Sequence, residues 1–249
     1  MISAAATAFI GVSIVATAFI SGVFGMAGGL ILLGILLIFL DVAPAMVLFA
    51  IIQLGSNGWR SVLWWRVVDW SIVRRYLVGA TAAFFVMRAI SYVPDKAVVY
   101  LTLGSIVFLA DLLPRSLTPD ITRPGAPFVA AYIVMTLQLI AGAAGHVLDL
   151  FFQKSLLDRR AVVATKAVCQ TFGHIFRIAF FSSLASAWDA PLPAWQYVAA
   201  IGLALVGTTL AARVLLAMTN ESFRQRSRWI IVGISIVYLI RGVWLLVAG

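Results

Sequence analysis

The chain has 249 residues, of which 63% are apolar and 11% charged, and its mean hydropathy is +1.07. A typical soluble domain is about 45–50% apolar and about 25% charged, so this composition excludes a soluble enzyme, and the aromatic and β-branched content excludes a disordered chain. The net charge of +9 has two candidate causes: basic loops on the cytoplasmic side of a membrane, or fixed positive charge along the path of an anion.

Long continuous apolar runs predict an all-α polytopic membrane protein. Two shorter runs, Leu30–Leu40 and Val147–Leu157, are about half the usual length of roughly 20 residues and predict thin spans, half-helices or re-entrant segments. Eight runs are long enough for ordinary spans, and in chain order they are Ile2–Phe24, Val42–Val62, Ile72–Ser91, Ala97–Leu113, Pro127–Gly145, Ala161–Ser183, Trp195–Met218 and Trp229–Val247.

Charge in the loops predicts the orientation. Basic residues concentrate in 60–75, 114–127 and 220–229, which we assign to the cytoplasm, whereas 185–195 has no basic residue and is assigned to the outside. These assignments require an odd number of crossings between 127 and 185, which holds if the short run in this interval also crosses. If that run dips in and returns, the sidedness must be revised.

The two halves of the chain match without gaps at an offset of 117 residues, and rare polar residues carry the match. The pattern Gln-x-x-x-(Asn/His)-x-x-Arg occurs twice, as Gln53, Asn57, Arg60 and as Gln170, His174, Arg177. An odd number of segments in each half predicts two repeats of inverted topology. We expect a first repeat over residues 1–113, a cytoplasmic linker over 114–126 and a second repeat over 127–249.

Each half also has a glycine-rich break, Gly25–Gly29 in the first and Gly142–His146 in the second. Paired breaks are typical of secondary transporters, in which the N-termini of broken helices turn partial positive charge toward the substrate. Glycine would let the backbone unwind and approach a ligand closely. The alternative is that these small residues only allow close packing of helices.

These residues resemble the sulfite exporter TauE/SafE family. The resemblance covers essentially the whole chain and is clearest over 142–181, where the second break is followed by His146-Val-Leu-Asp149, Ala164-Thr-Lys166, Gln170 and Gly173-His174. The first copy, Phe24-Gly-Met-Ala-Gly-Gly29, is looser, and Leu48-Phe49 stand where the second half has Thr165-Lys166. The resemblance implies a carrier in a bacterial-type cytoplasmic (inner) membrane, linked to sulfite, organosulfonates or related anions.

Charged groups within membrane spans are costly and are functional by default, and Arg forks bind oxyanions through two hydrogen bonds. The alternatives are snorkelling for Arg60, a cytoplasmic-edge position for Lys166, and ordinary interhelical hydrogen bonds for the two glutamines. The candidate substrate-binding residues are Gly25, Gly28, Gly29, Gln53, Asn57, Arg60, Gly145, His146, Lys166, Gln170, His174 and Arg177.

Three of the polar residues could carry a proton, namely His146, Asp149 and His174. A histidine changes charge near neutral pH, and a buried aspartate can hold a proton. Coupling of anion movement to protons is therefore a hypothesis. The alternative is that Asp149 pairs permanently with a nearby Arg or Lys.

The function that this pattern favours is a secondary transporter, and more specifically an exporter, of a small anion such as sulfite or an organosulfonate. A passive anion channel is the alternative. An intramembrane enzyme is disfavoured because the two histidines are 28 residues apart and neither Ser56 nor Ser155 lies in a nucleophile-elbow motif. We expect no cofactor, no metal and no nucleic-acid partner; the expected partners are the anion and the lipid bilayer, and a homodimer is left open.

Overall fold

A computed structural model describes residues 4–24, 27–112, 119–184, 193–217 and 220–248. These ranges are helical apart from short connections, and a single 3-10 turn, Trp65–Val67, follows the third helix. The helices are α1 (Ala4–Phe24), α2 (Ala27–Phe39), α3 (Val42–Leu63), α4 (Trp70–Ile90), α5 (Lys96–Leu112), α6 (Ala126–Ala141), α7 (Gly145–Phe152), α8 (Arg159–Phe181), α9 (Ala194–Ala217) and α10 (Asn220–Ala248).

Local capping chemistry explains where several helices begin. The carboxylate of Asp69 accepts hydrogen bonds from the backbone N–H groups of Ser71 and Ile72 at 3.0 and 3.2 Å, at the start of α4. Asp158 accepts from the N–H of Arg160 at 2.8 Å at the start of α8. An aspartate at this position satisfies N–H groups that the helix itself leaves without a partner.

Helix bounds fall at both glycine-rich segments. Helix α1 ends at Phe24 and α2 begins at Ala27. Helix α6 ends at Ala141 because Gly142 adopts φ +84°, a left-handed conformation that glycine tolerates and other residues rarely adopt. This end lies before the predicted limit of the span at Gly145.

In the part of the chain that the structure describes, four helices are long and apolar enough to cross a membrane: α1, α3, α9 and α10. Among the described residues, α2, α5 and α6 are apolar but shorter, and α4 and α8 are long enough but each includes several basic side chains. The structure therefore supports a polytopic helical protein, while the predicted count of eight long spans goes beyond these four.

Two further predicted boundaries differ from the observed ones. Helix α7 has only 8 residues, Gly145–Phe152, whereas the apolar run suggested Val147–Leu157, because turns through 153–157 precede the capped start of α8. Helix α10 begins at Asn220, so the basic segment 220–229 is helical and not a loop. Arg, Gln and Glu favour helix formation, and in water they can extend a span beyond its apolar part.

The closest helix–helix contacts are matched between the two halves. At the offset of 117 residues, α1 to α5 correspond in order to α6 to α10. Helix α1 packs on α9, and the corresponding pair, α6 and α4, packs equally closely. The pairs α3 with α8 and α5 with α10 each join corresponding helices. The two halves are thus interleaved around α3 and α8.

The outer helices expose large apolar side chains. Trp195, Val198, Trp229 and Val247 are each more than 60% exposed on α9 and α10. Contiguous apolar surface of this kind is rare on soluble proteins and suits contact with lipid. The buried core lies instead mainly along the helices from α2 to α8.

The described end of the predicted linker is packed against the second half. Ile121 is fully buried, and its N–H donates to the carbonyl of Phe151 in α7 at 3.0 Å. Gly125, at φ +84°, then turns the chain into α6. This contact fixes the segment before α6 onto the short helix that follows it.

Candidate functional site

Helices α3 and α8 carry the repeated polar pattern and pack against each other. Residues four and seven apart share a helix face, so each pattern forms one polar stripe. The contacts run in opposite order along the two helices, since Phe49 lies against Arg177 and Ser61 Oγ lies 3.4 Å from Thr171 Oγ1. The two corresponding helices are therefore antiparallel.

Four of the predicted site residues form a row where α3 crosses α8. Asn57 Nδ2 lies 3.4 Å from His174 Nε2, and these residues are separated by 117 positions, which is the repeat offset. Arg60 Nη1 donates to Asn57 Oδ1 over 3.5 Å, and Arg177 Nη1 lies 3.4 Å from His174 Nδ1. All three contacts are at the long end of the hydrogen-bond range.

This row contains more donors than it can satisfy. Because Arg60 donates to Oδ1 of Asn57, the amide nitrogen of Asn57 faces His174 as a donor. Arg177 is a donor to the other ring nitrogen. A neutral imidazole accepts at only one nitrogen, and its other nitrogen carries a proton. At one of the two ring nitrogens, therefore, the N–H group of His174 faces the donor of Asn57 or Arg177. Protonation of His174 would place an N–H group against a donor at the other ring nitrogen as well.

Both arginines have buried N–H groups that lack acceptors. Arg177 is 0% exposed, and within the described part of the chain its Nε and Nη2 have no hydrogen-bond partner. The same holds for Nη2 of Arg60 among the described residues. A buried charge without a partner is strongly unfavourable. An anion between the two guanidinium groups would supply the missing acceptors.

Phe49 completes the environment of Arg177. The guanidinium carbon lies 5.1 Å from the centre of the Phe49 ring, and the same ring meets His174 edge-on at 6.0 Å. A cation over an aromatic face is stabilised by about 0.5–2 kcal/mol. This contact offsets only part of the unfavourable burial and provides no hydrogen-bond acceptor.

Lys166 and Asp149 form an ion pair between α8 and α7. Their side chains are 20% and 33% exposed, so the pair is more accessible than Arg177. The charges of Arg60 and Lys166 also repel each other. The predicted lysine and the predicted proton-carrying aspartate thus lie together, beside the Arg60 end of the row.

The glycines of the first break differ in their surroundings. A side chain at Gly28 would overlap the backbone of α1 at Thr17 and Ser21, so close packing alone explains a glycine there. At Gly29 a Cβ atom would lie 2.9 Å from the amide nitrogen of Gln53. Gly25 lies outside the described residues.

The remaining predicted residues lie on α3, α8 and α7. Gln53 is buried on α3, next to Gly29 of α2. Gln170 is half-buried on α8, one turn before His174. Gly145 and His146 open α7, where Gly145 is buried and His146 is half-buried. Within the described ranges no side-chain hydrogen bond joins Gln53 or Gln170 to Asn57, His174, Arg60 or Arg177.

Two residues near the site were not predicted from the sequence. In the sequence, Phe49 is noted only because it stands where the second half has Lys166. That correspondence, at the repeat offset, is the signal that could have identified Phe49 as a residue near the site. Gln138 of α6 is 2% exposed, and its Oε1 has no hydrogen-bond partner in the described part of the protein. Gln138 faces Gly173 of α8, and a Cβ atom added to Gly173 would lie 2.5 Å from Oε1 of Gln138. A single glutamine in an apolar run gives no pattern to detect.

Enzymatic groupings are not found in the described ranges. Ser56 exchanges a 2.7 Å hydrogen bond with Thr208, and Ser155 donates to the carbonyl of Phe152, so neither hydroxyl contacts a histidine there. Over the same ranges no cluster of three or more His, Cys, Asp or Glu could hold a metal ion.

Comparison with known proteins identifies the family. Searches of curated proteins and of solved structures give no match. The family model described as sulfite exporter TauE/SafE matches residues 9–241 of the chain. Members of this family are membrane transporters of sulfite-type anions and not enzymes. Since the match spans nearly all of the sequence, the protein belongs to the sulfite exporter TauE/SafE family.

Proposed function

We propose that this protein is a secondary carrier that exports a small oxyanion, sulfite or an organosulfonate, through a site between α3 and α8. The observation that supports this most strongly is that the fully buried Arg177 and the half-buried Arg60 both have buried N–H groups without an acceptor in the described chain. An oxyanion has several acceptor oxygens and negative charge, which are the two properties that this site lacks.

In this mechanism the oxyanion lies against the donor-rich row. Arg177 and Arg60 bind its oxygens from either side of the Asn57–His174 contact, and Gln53 and Gln170 complete the site. Backbone N–H groups of the two glycine-rich segments, Gly25–Gly29 and Gly142–His146, provide further donors at the starts of α2 and α7.

Alternating access would follow from inverted repeats. Corresponding helices that run antiparallel, as α3 and α8 do, are expected when the axis relating two repeats lies in the membrane plane. Rocking of one half against the other would then expose the central row to each side in turn. The lack of any P-loop motif in the sequence means that the energy would come from a gradient.

The direct test is anion binding by Arg177→Ala protein. We expect the affinity for sulfite or for a simple sulfonate to fall at least about tenfold, because a charge-assisted, two-pronged contact is lost. Arg88→Ala is the matched control, since Arg88 is an exposed arginine near the end of α4. Undiminished affinity of the Arg177 variant for every anion tested would remove Arg177 from the site.

A passive channel is distinguished by its kinetics. Flux through a carrier saturates with sulfite concentration and follows the imposed gradient, whereas a channel conducts far faster than a carrier can turn over. Measurement of flux and conductance in proteoliposomes would separate the two.

Proton coupling through Asp149, His146 or His174 is part of the proposal. His174 is the least suited of the three, because both of its ring nitrogens already face donors. Transport in proteoliposomes with and without a pH gradient decides the matter, and equal flux would exclude coupling. A homodimer in the membrane stays a prediction.

A further inference from the structure

The Lys166–Asp149 pair breaks the symmetry between the two halves. At the repeat offset, Lys166 corresponds to Phe49 and Asp149 corresponds to Leu32. Both first-half residues are apolar and buried. An ion pair in the second half thus stands where the first half has two apolar side chains, so this pair is not needed to build the shared helix packing.

The ion pair also makes the two ends of the central row unequal. Arg177 lies at the end with Phe49. Among the described side chains, Arg177 has two close electrostatic partners, which are the His174 ring nitrogen and the Phe49 ring. Arg60 lies at the end with Lys166, where two cations repel each other and one carboxylate balances them. Of the charged groups at this site, Asp149 is the single anion within the described residues.

We propose that Asp149 is a built-in counter-anion that occupies Lys166 in the empty carrier and that the transported anion must displace it. The inference rests on the proposed function, because it assumes that an anion binds at the Arg60 end of the row. Asp149 neutralises the partly buried ammonium of Lys166 when no substrate is present. It thereby lowers the affinity for substrate, and it keeps the site from holding the anion too tightly to release it.

The test is sulfite binding to purified Asp149→Asn protein. Asparagine keeps the size of the side chain and can still contact Lys166, but it removes the competing charge. We expect sulfite affinity to rise at least about tenfold, since the freed ammonium adds a close charge contact in a poorly solvated site. We also expect lower thermal stability without sulfite and a larger stabilisation when sulfite is added.

Asp41→Asn is the matched control. Asp41 forms the other Lys–Asp ion pair, with Lys96 at 3.2 Å, and its side chain is 91% exposed. An exposed pair of this kind contributes little, so we expect this variant to bind sulfite like the original protein.

A second pair of variants tests whether Asp149 acts through Lys166. In a Lys166→Gln background, the additional Asp149→Asn change should alter sulfite affinity less than twofold. A full tenfold increase there would show that the carboxylate acts only as a general repulsive charge, which would overturn the competition with substrate for Lys166.

The outcomes separate this inference from the proposed function. If the original protein binds sulfite and the Asp149→Asn variant binds it equally or more weakly, Asp149 is not a counter-anion. The proposed function as an anion carrier is then unaffected. If neither protein binds sulfite or methanesulfonate, both are wrong.

Discussion

Arg60 and Arg177 are the residues whose chemistry most needs an explanation, because both have buried N–H groups without an acceptor among the described residues. A guanidinium with five N–H donors is stable in a protein interior only when acceptors surround it. Arg177 is fully buried and contacts a histidine nitrogen and an aromatic ring, which are poor substitutes for a carboxylate. Its burial therefore destabilises the empty protein, and a bound anion would reverse that effect.

The unsatisfied burial of Arg177 determines what we expect of the stability of an Arg177→Met variant. Methionine fills much of the same volume without charge, and replacing unsatisfied buried ions with apolar groups is often neutral or stabilising. We expect the melting temperature of the empty protein in detergent to stay equal or rise, while stabilisation by added sulfite disappears.

Arg241→Met provides the comparison for this experiment. Arg241 is an exposed arginine of α10 and lies 4.3 Å from the ring centre of Trp244, so its loss should leave sulfite stabilisation intact. A large fall in the melting temperature of the Arg177 variant would mean that the guanidinium has adequate hydrogen-bond acceptors in the empty protein, so that its burial is not destabilising.

At the scale of elements, the glycine-rich break before α2 combines two roles. Gly28 allows α2 to pack back onto α1, because an added Cβ would overlap backbone atoms that cannot move independently. Gly29 faces the amide of Gln53, the flexible end of a side chain that could shift to make room. The neighbouring glycines should therefore differ in how substitution affects the protein.

We expect Gly28→Ala to lower the melting temperature strongly, because α2 must separate from α1. Gly29→Ala should fold with little loss, yet reduce sulfite affinity by displacing Gln53. Gly202→Ala in α9 is the control, since an added Cβ there meets no neighbouring atom and alanine favours a helix by up to about 1 kcal/mol. Equal melting temperatures for the Gly28 and Gly202 variants would contradict the close α1–α2 packing.

Periodicity and rare polar residues in the sequence identified most of the helices and the residues of the central row. The repeat offset alone related Asn57 to His174, which the structure brings into contact. The sequence could not give the end of α6, because it offers both Gly142 and Gly145 as places to stop, and only the structure shows that Gly142 takes the left-handed conformation, beside Leu33 and Met46 of the other half. Nor could it pair Lys166 with Asp149, since either an arginine or a lysine was a suitable partner by composition.

For the whole molecule, the interleaved packing determines how the halves can move. Helix α1 packs on α9 and α6 packs on α4, so each half is joined to the other on both flanks of the α3–α8 crossing. Ser56 of α3 and Thr208 of α9 add a buried hydrogen bond of 2.7 Å between the halves. Rocking about the crossing would therefore require sliding at these outer interfaces and would leave the central Asn57–His174 contact near the axis.

Inverted topology predicts on which side of the membrane each connection lies, and labelling with a membrane-impermeant thiol reagent tests it. Cys169, the single cysteine, is fully buried, so a Cys169→Ala variant provides the background. In intact cells we expect Ser91→Cys and Ser183→Cys, at exposed ends of α4 and α8, to react from outside. Thr122→Cys, exposed before α6, should react only after permeabilisation. Reaction of the Thr122 and Ser183 variants from the same side would mean an even number of crossings between them, so that α7 does not cross and the halves are not inverted.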